Sequence, residues 1–136
     1  MSKAEQLLAT ARSAARKAHA PYSQFRVGAA LLCSNGEIVE GCNVENASYG
    51  LSICAERVAL FSAVARGLEP QELAVSCLDA PADGPDGLRM PCGACRQVIQ
   101  ELMPAQATVH IDGVGSRHLA ELLPDAFSLV PEDNRQ

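Results

Sequence analysis

The alternation of apolar and polar positions predicts a helix followed by a β-hairpin in the first third of the chain. In residues 4–18, Leu and Ala recur at helical spacing behind Ser2, a residue that favours the helix N-cap position. Two apolar runs follow, at 25–33 and 37–42, and Asn35-Gly36 separates them. Asn-Gly between two such runs is a strong hairpin signal, so these segments are predicted to be the first two strands.

The remainder of the chain predicts further helices and strands in alternation. Gly67 closes one helix and Pro104 stops the next, as expected for residues that end helices. In chain order the predicted elements are a loop at 43–53, a helix at 54–66, a strand at 73–78, a long loop at 79–91, a helix at 92–103, strands at 108–111 and 116–119, and a helical turn at 120–123.

This order of elements predicts an α/β fold, a three-layer α/β/α sandwich around a mixed, five-stranded sheet. The connections after the hairpin are expected to pass through helices, so strands three to five are expected to run parallel to their neighbours. With 136 residues and no linker or repeat, the chain is expected to form a single domain over residues 1–136.

Composition and charge exclude several classes of partner. The net charge is -5 and the 11 basic residues are scattered, which argues against nucleic acid because phosphate binding relies on clustered Lys and Arg. No segment approaches the ~20 apolar residues of a membrane span, and the N-terminus lacks the apolar stretch of a signal peptide. We therefore expect a cytoplasmic protein that does not bind membranes.

The six cysteines fall into two groups, and in a reducing compartment they are expected to be thiols or metal ligands. One group lies in or at the end of apolar runs, where a cysteine behaves as a small buried hydrophobe: Cys33, Cys42 and Cys77. The other group lies at predicted helix starts. Cys92 and Cys95 alone would suit either a tetrahedral metal or a redox disulfide, but Cys54 at an earlier helix start adds a third thiol.

Three cysteine ligands would leave one position of a zinc ion open, which is typical of a catalytic site that activates water. We predict one zinc ion per chain on Cys54, Cys92 and Cys95, with Glu56 as the proton shuttle. The alternative for Glu56 is a carboxylate that only stabilises a helix start. Three thiolates around a divalent cation are formally anionic. The helix N-termini are therefore expected to supply positive charge, and Arg57 to donate hydrogen bonds to the thiolates, unless it is a solvated helix residue.

Four blocks of sequence resemble the small cytidine deaminases: FRVGAA at 25–30, NVENASY at 43–49, CAER at 54–57 and PCGACRQ at 91–97. The resemblance covers nearly the whole chain. It implies the three-cysteine zinc site and the hydrolytic deamination of cytidine and deoxycytidine to uridine and deoxyuridine. In zinc deaminases a metal-activated water attacks C4 of cytosine and a non-ligand Glu carries the protons. The activity implied is a step of pyrimidine salvage that releases ammonia.

The same resemblance implies further roles outside the metal ligands. Asn43 and Glu45 match a pair that binds the ribose, Phe25 matches an aromatic residue that packs against the pyrimidine, and the backbone of Ala55 matches a contact to the base. Phe127 matches a residue that reaches the active site of a neighbouring subunit in a homotetramer. From the sequence alone, Asn43 and Glu45 could instead cap a loop, and Phe127 could dock on its own core.

Three alternative functions compete with this prediction. A deaminase of another cytosine-bearing molecule, such as an aminonucleoside antibiotic, would share the zinc site. An editing deaminase would need a basic channel, which the charge pattern does not provide. The third alternative is not a deaminase but either a thiol redox protein or a binding module with structural zinc. A redox protein would leave Cys54 and Glu56 without a role. A structural zinc site would need a fourth ligand, and none of the three histidines lies at ligand spacing.

Overall fold

A computed structural model describes residues 1–129 of the chain. Two single-turn 3₁₀ helices, Tyr49–Leu51 and Asp86–Leu88, lie in its two long loops. Within the described residues, no helix has the length and apolar character needed to cross a membrane. In chain order the other elements are α1 (Lys3–Ala15), β1 (Val27–Cys33), β2 (Ile38–Cys42), α2 (Ala55–Ala65), β3 (Pro70–Cys77), α3 (Gly93–Leu102), β4 (Thr108–Ile111), β5 (Gly115–His118) and α4 (Leu119–Leu122).

The strands form the predicted mixed, five-stranded sheet, in the order β2-β1-β3-β4-β5. The expectation that strands three to five lie parallel to their neighbours is confirmed only for β3 and β4. It is wrong for β3 beside β1 and for β5 beside β4, which are antiparallel pairs. The crossover through α2 carries the chain past β1, so β3 runs parallel to β2 but pairs with β1. Only the tight turn at 112–114 joins β4 to β5, which is too short for a parallel connection.

Helices cover both faces of the sheet, which confirms the three-layer sandwich. Successive side chains of β1 point to opposite faces, as the pleat of a strand requires. Ala29 and Leu31 therefore join the larger core under α2 and α3, whereas Ala30 packs with Leu7 and Ala11 of α1 on the other face. The functional side chains described below lie at the ends of the elements that form the larger core.

Gly41 allows α2 to lie directly on β2. A Cβ atom at this position would stand 2.4 Å from the carbonyl oxygen of Ala55 and 2.6 Å from the backbone nitrogen of Ala59. Glycine in a strand often marks such a close approach of another backbone. The contact fixes the first turn of α2 against the sheet, and that turn carries predicted site residues.

The boundaries of the predicted elements agree with the structure to within three residues. The Ser2 side chain caps α1 as predicted. α1 ends at Ala15, before residue 18, because the next amides bond to carbonyls three residues back instead of four. β1 begins at Val27 because the side chain of Asn43 takes both the Val27 N–H and the Phe25 carbonyl. β5 is displaced by one residue toward the N-terminus and is four residues long.

Candidate active site

Two helix starts bring the three predicted cysteines together. Cys54 is the N-cap residue of α2, Cys92 is the N-cap residue of α3, and Cys95 lies in the first turn of α3. Because α2 and α3 pack against each other, the three sulfur atoms all lie within 4.8 Å of one another. All three cysteines are free thiols, so no disulfide joins Cys92 to Cys95.

The sulfur spacing fits a tetrahedral zinc ion. The Sγ atoms of Cys54 and Cys92 are 3.8 Å apart. Zinc–sulfur bonds of ~2.3 Å at tetrahedral angles place two sulfurs about 3.8 Å apart. Within the described residues, the group of metal-binding side chains contains no fourth member. The donor set therefore suits a soft divalent cation with one coordination position left open.

The thiols also depend on one another for their ionisation. The pKa of Cys54 is lowered to about 5, first by a hydrogen bond from the Cys95 thiol and further by Arg57. The pKa of Cys95 is raised, because its thiol donates to Cys54 and because it is buried. The protein alone thus favours a thiolate at Cys54 beside a protonated Cys95, and a divalent cation bound to both would favour the ionised form of each.

Arg57 and α3 supply different parts of the positive environment. Arg57 Nη2 donates a hydrogen bond to Cys54 Sγ over 3.2 Å. The backbone N–H of Cys95 donates to Cys92 Sγ over 3.4 Å. Cys54 makes no equivalent capping bond with the amides of α2, so the expectation that both helix starts act in the same way is met at α3 only. At α2, the neighbouring arginine takes that place.

Glu56 is a buried carboxylate next to this cluster. Its residue is only 4% exposed, in the first turn of α2. The pKa of Glu56 is raised to about 7, mainly because burial removes the carboxylate from water and partly because Cys54 carries negative charge. A group with a pKa near neutrality can both accept and release a proton under physiological conditions. Glu56 therefore has the burial and the ionisation expected of a proton shuttle.

A cavity of about 270 Å³ opens beside Glu56 and two of the cysteines. Its size suits a small molecule. The polar part of its lining consists of Ser23, Asn43, Glu45, Cys54, Glu56 and Cys92. The remainder is apolar and consists of Phe25, Val27, Ala55, Cys77, Leu88 and Met90. The structure thus brings Phe25, Asn43, Glu45 and Ala55 to the same cavity as the cluster.

Asn43 faces the cavity and also holds the loop before β1. Its side-chain Nδ2 donates to the carbonyl oxygen of Phe25 over 2.9 Å, and its Oδ1 accepts from the N–H of Val27 over 2.8 Å. The loop-capping role that the sequence left open is therefore present. It fixes the backbone on either side of Arg26, and so holds Phe25 at the cavity wall.

Comparison with known proteins identifies the family. Residues 1–111 match the family model described as the cytidine and deoxycytidylate deaminase zinc-binding region. The chain belongs to this deaminase family. All three cysteines and Glu56 lie in the matched segment, and the cysteine cluster fits one zinc ion per chain.

Similar proteins match this deaminase chain over nearly its full length. A cytidine deaminase of Halalkalibacterium halodurans is 42% identical, covering 91% of this chain and 93% of its own. The solved cytidine deaminase of Burkholderia pseudomallei has a TM-score of 0.80 at 46% identity, covering 93% of this chain and all of its own. That of Mycobacterium tuberculosis has a TM-score of 0.81 at 38% identity, covering 95% and 100% respectively. The fold of the deaminases is therefore also the fold of this chain.

Sequence reasoning missed part of the cavity wall of this deaminase. Cys77, predicted to be a small buried hydrophobe, lines the cavity, and burial raises its pKa to about 12. Leu88 and Met90 belong to the loop at 79–91, for which no function was predicted. Their signal was present, because they are the two large apolar residues in a loop otherwise made of Ala, Gly, Pro and charged residues, just before Cys92.

Of the residues predicted to bind the substrate, Phe127 alone is missing from the lining of this cavity. Its residue is 67% exposed, and it is not part of the lining. Its backbone carbonyl accepts a hydrogen bond of 3.0 Å from Gln97 Nε2 on α3. The ring of Phe127 is therefore exposed on the surface and does not line the chain's own cavity.

Proposed function

We propose that this chain is a zinc-dependent hydrolase that deaminates cytidine and deoxycytidine to uridine and deoxyuridine. The observation that carries the proposal is a buried carboxylate, Glu56, that lies beside a three-thiol cluster and lines a cavity of about 270 Å³ with both polar and apolar walls. Several similar proteins of nearly equal length are named cytidine deaminase, which supports the choice of substrate.

Cys54, Cys92 and Cys95 would hold the metal. When bound, the zinc ion would supply the Lewis acidity that makes a water molecule nucleophilic near neutral pH. Arg57 and the backbone N–H of Cys95 offset the negative charge of the thiolates. Weakening either contact is expected to reduce both metal retention and turnover.

Glu56 would move two protons during one turnover. It takes the first from the attacking water and gives it to N3 of the base, which makes C4 electrophilic. The water oxygen then forms a bond to C4. Glu56 accepts the second proton and delivers it to the amino group, and the C4–N bond breaks. Ammonia leaves, the oxygen becomes the C4 carbonyl, and N3 keeps its proton, so the product is the uracil nucleoside.

The other cavity residues would orient the nucleoside. Phe25 packs against the pyrimidine, while Asn43 and Glu45 hydrogen-bond the sugar. Ala55 is the first residue of α2, where a backbone N–H has no acceptor within the helix. This amide can therefore donate to the base. Together these contacts hold C4 toward Glu56 and the cysteines.

Self-association and a cytoplasmic role in pyrimidine salvage complete the proposal. Tyr49, Leu51 and Phe127 are exposed apolar residues, which supports assembly into a homotetramer in which Phe127 reaches a neighbouring cavity. The six cysteines are free thiols, which is the state expected in a reducing compartment.

Ammonia release tests the proposed activity. Purified protein is incubated with cytidine or deoxycytidine, with and without prior treatment with a strong zinc chelator. We expect one ammonia per uracil nucleoside formed, and loss of this activity after the metal is removed, with recovery when zinc is added back. Absence of ammonia from both nucleosides would reject the proposal.

A further inference from the structure

Ser23 stands between two groups that face the cavity. Its hydroxyl donates a short hydrogen bond to Glu45 Oε2 and accepts one of 3.0 Å from the N–H of Phe25. We propose that Ser23 is a positioning residue for sugar recognition, which orients the Glu45 carboxylate toward a hydroxyl group of the nucleoside. This inference rests on the proposed function, because it assumes that Glu45 meets the sugar.

The hydrogen bonds of Glu45 leave few acceptor positions for a ligand. Oε1 accepts from the backbone N–H groups of Tyr22 and Ser23, each over 3.1 Å, which uses both of its lone pairs. Oε2 accepts from the Ser23 hydroxyl, so one lone pair remains. The turn at Tyr22 and Ser23 thus determines which direction of the carboxylate stays open to the cavity.

These donors also fix the chemical character of Glu45. The pKa of its carboxyl is lowered, first by the hydroxyl of Ser23 and then by the backbone of the same residue. An ionised carboxylate can only accept hydrogen bonds. The open position therefore selects a ligand group that donates, such as a sugar hydroxyl. A sugar that lacks this hydroxyl cannot form the hydrogen bond to Glu45 and gains no binding energy from it.

Phe25 has anchors that do not involve Ser23. Asn43 holds the Phe25 carbonyl and the Val27 N–H on either side of Arg26. The bond from the Phe25 N–H to Ser23 is exposed, so water can replace the lost acceptor. Removal of the Ser23 hydroxyl should consequently disturb Glu45 and leave the aromatic wall of the cavity in place.

The test compares one ligand that has the sugar hydroxyls with one that lacks them. KM and kcat are measured for cytidine, and 2′,3′-dideoxycytidine is measured as a competitive inhibitor. The variants are Ser23→Ala, Ser23→Thr, which retains a hydroxyl, and Ser52→Ala as the matched control. Ser52 accepts from the Asn46 N–H in the next loop and makes no hydrogen bond to Glu45.

We expect Ser23→Ala to raise KM for cytidine about tenfold, which corresponds to ~1.4 kcal/mol of lost binding free energy. kcat and the inhibition constant of the dideoxynucleoside should change less than about twofold. Ser23→Thr and Ser52→Ala should behave like the unmodified protein.

Equal weakening of both ligands by Ser23→Ala would overturn the inference, because a general loss of loop structure does not depend on the sugar. Failure of Ser23→Thr to restore the cytidine KM would also overturn it. A failure of the proposed function would give a different result, because the unmodified protein would then release no ammonia from cytidine.

Discussion

At the scale of single residues, Arg57 is the side chain that offsets the negative charge of the thiolates. Its guanidinium donates to Cys54 Sγ, and this contact is the first cause of the raised pKa of Arg57. Arg57 Nε is buried and has no hydrogen-bond partner among the described residues. The thiolate is consequently the main compensation for burying part of a guanidinium in this position.

Replacement of Arg57 by Ala should loosen the metal. Without the guanidinium, the Cys54 thiolate loses a charge-assisted hydrogen bond, which is typically worth ~1.5–3 kcal/mol. We expect Arg57→Ala to lose its zinc to a competing chelator at a concentration about tenfold lower than the unmodified protein requires. Its kcat/KM should fall as well. Arg66→Ala is the control, since Arg66 lies on the surface at the end of the same helix and pairs with Glu37 over 2.5 Å. Equal zinc retention in both variants would show that the thiolates do not need Arg57.

The spacing of Cys92 and Cys95 at one helix start is a local property, so the sequence revealed this pair directly. The family resemblance pointed to the cavity residues Phe25, Asn43 and Glu45, but neither signal revealed Ser23. Ser23 reaches Glu45 only because the chain turns back over the start of β1, and the two residues are 22 positions apart in sequence. No local pattern predicts such a contact.

At the scale of elements, the packing of α2 on β2 determines where the first turn of α2 lies. Gly41→Ala should force this helix away from the strand, since the new Cβ would overlap the Ala55 carbonyl and the Ala59 nitrogen. Overpacking of this kind typically costs ~1–3 kcal/mol. We expect a lower urea midpoint and a loss of activity that exceeds the loss of folded protein, because Ala55 and Glu56 move with the helix.

Gly50→Ala provides the control for this substitution. A Cβ at Gly50 would meet no atom within 4 Å. Its free energy of unfolding should stay within about 0.5 kcal/mol of that of the unmodified protein, as is usual for surface positions. A Gly41→Ala variant as stable as Gly50→Ala would mean that α2 is not held against β2 as closely as the structure indicates.

Element positions follow from the apolar pattern, whereas strand directions depend on where each crossover leads. The apolar run at β4 is located correctly to the residue, because burial of three of its four residues leaves a clear local signal. The direction of β3 relative to β1 depends on α2 carrying the chain past an occupied position in the sheet. That choice is made by packing across the whole sheet and has no local signal.

At the scale of the whole molecule, Phe127 tests whether assembly completes the site. If it serves a neighbouring subunit, Phe127→Ala should raise KM for cytidine about tenfold in a folded protein, while Glu56→Ala should lose most of its turnover. We expect light scattering to give a tetramer of 14.3 kDa chains. Co-expressed chains that carry one change each would form some cavities in which both residues are intact. We therefore expect the mixed tetramers to exceed the mean kcat/KM of the two parent variants at low substrate concentration. Activity equal to that mean would place Phe127 outside any neighbouring site.

The most direct test of Glu56 as the proton carrier beside a three-cysteine zinc site measures bound zinc and cytidine turnover on the same samples. Both the unmodified protein and Glu56→Ala should carry one zinc per chain, because the carboxylate lies beside the cluster and is not one of its sulfur ligands. Turnover of Glu56→Ala should fall by a factor of roughly 10²–10⁴, the usual contribution of general acid–base catalysis. Zinc-loaded Glu56→Ala with near-normal turnover, or an active unmodified protein without zinc, would contradict this assignment.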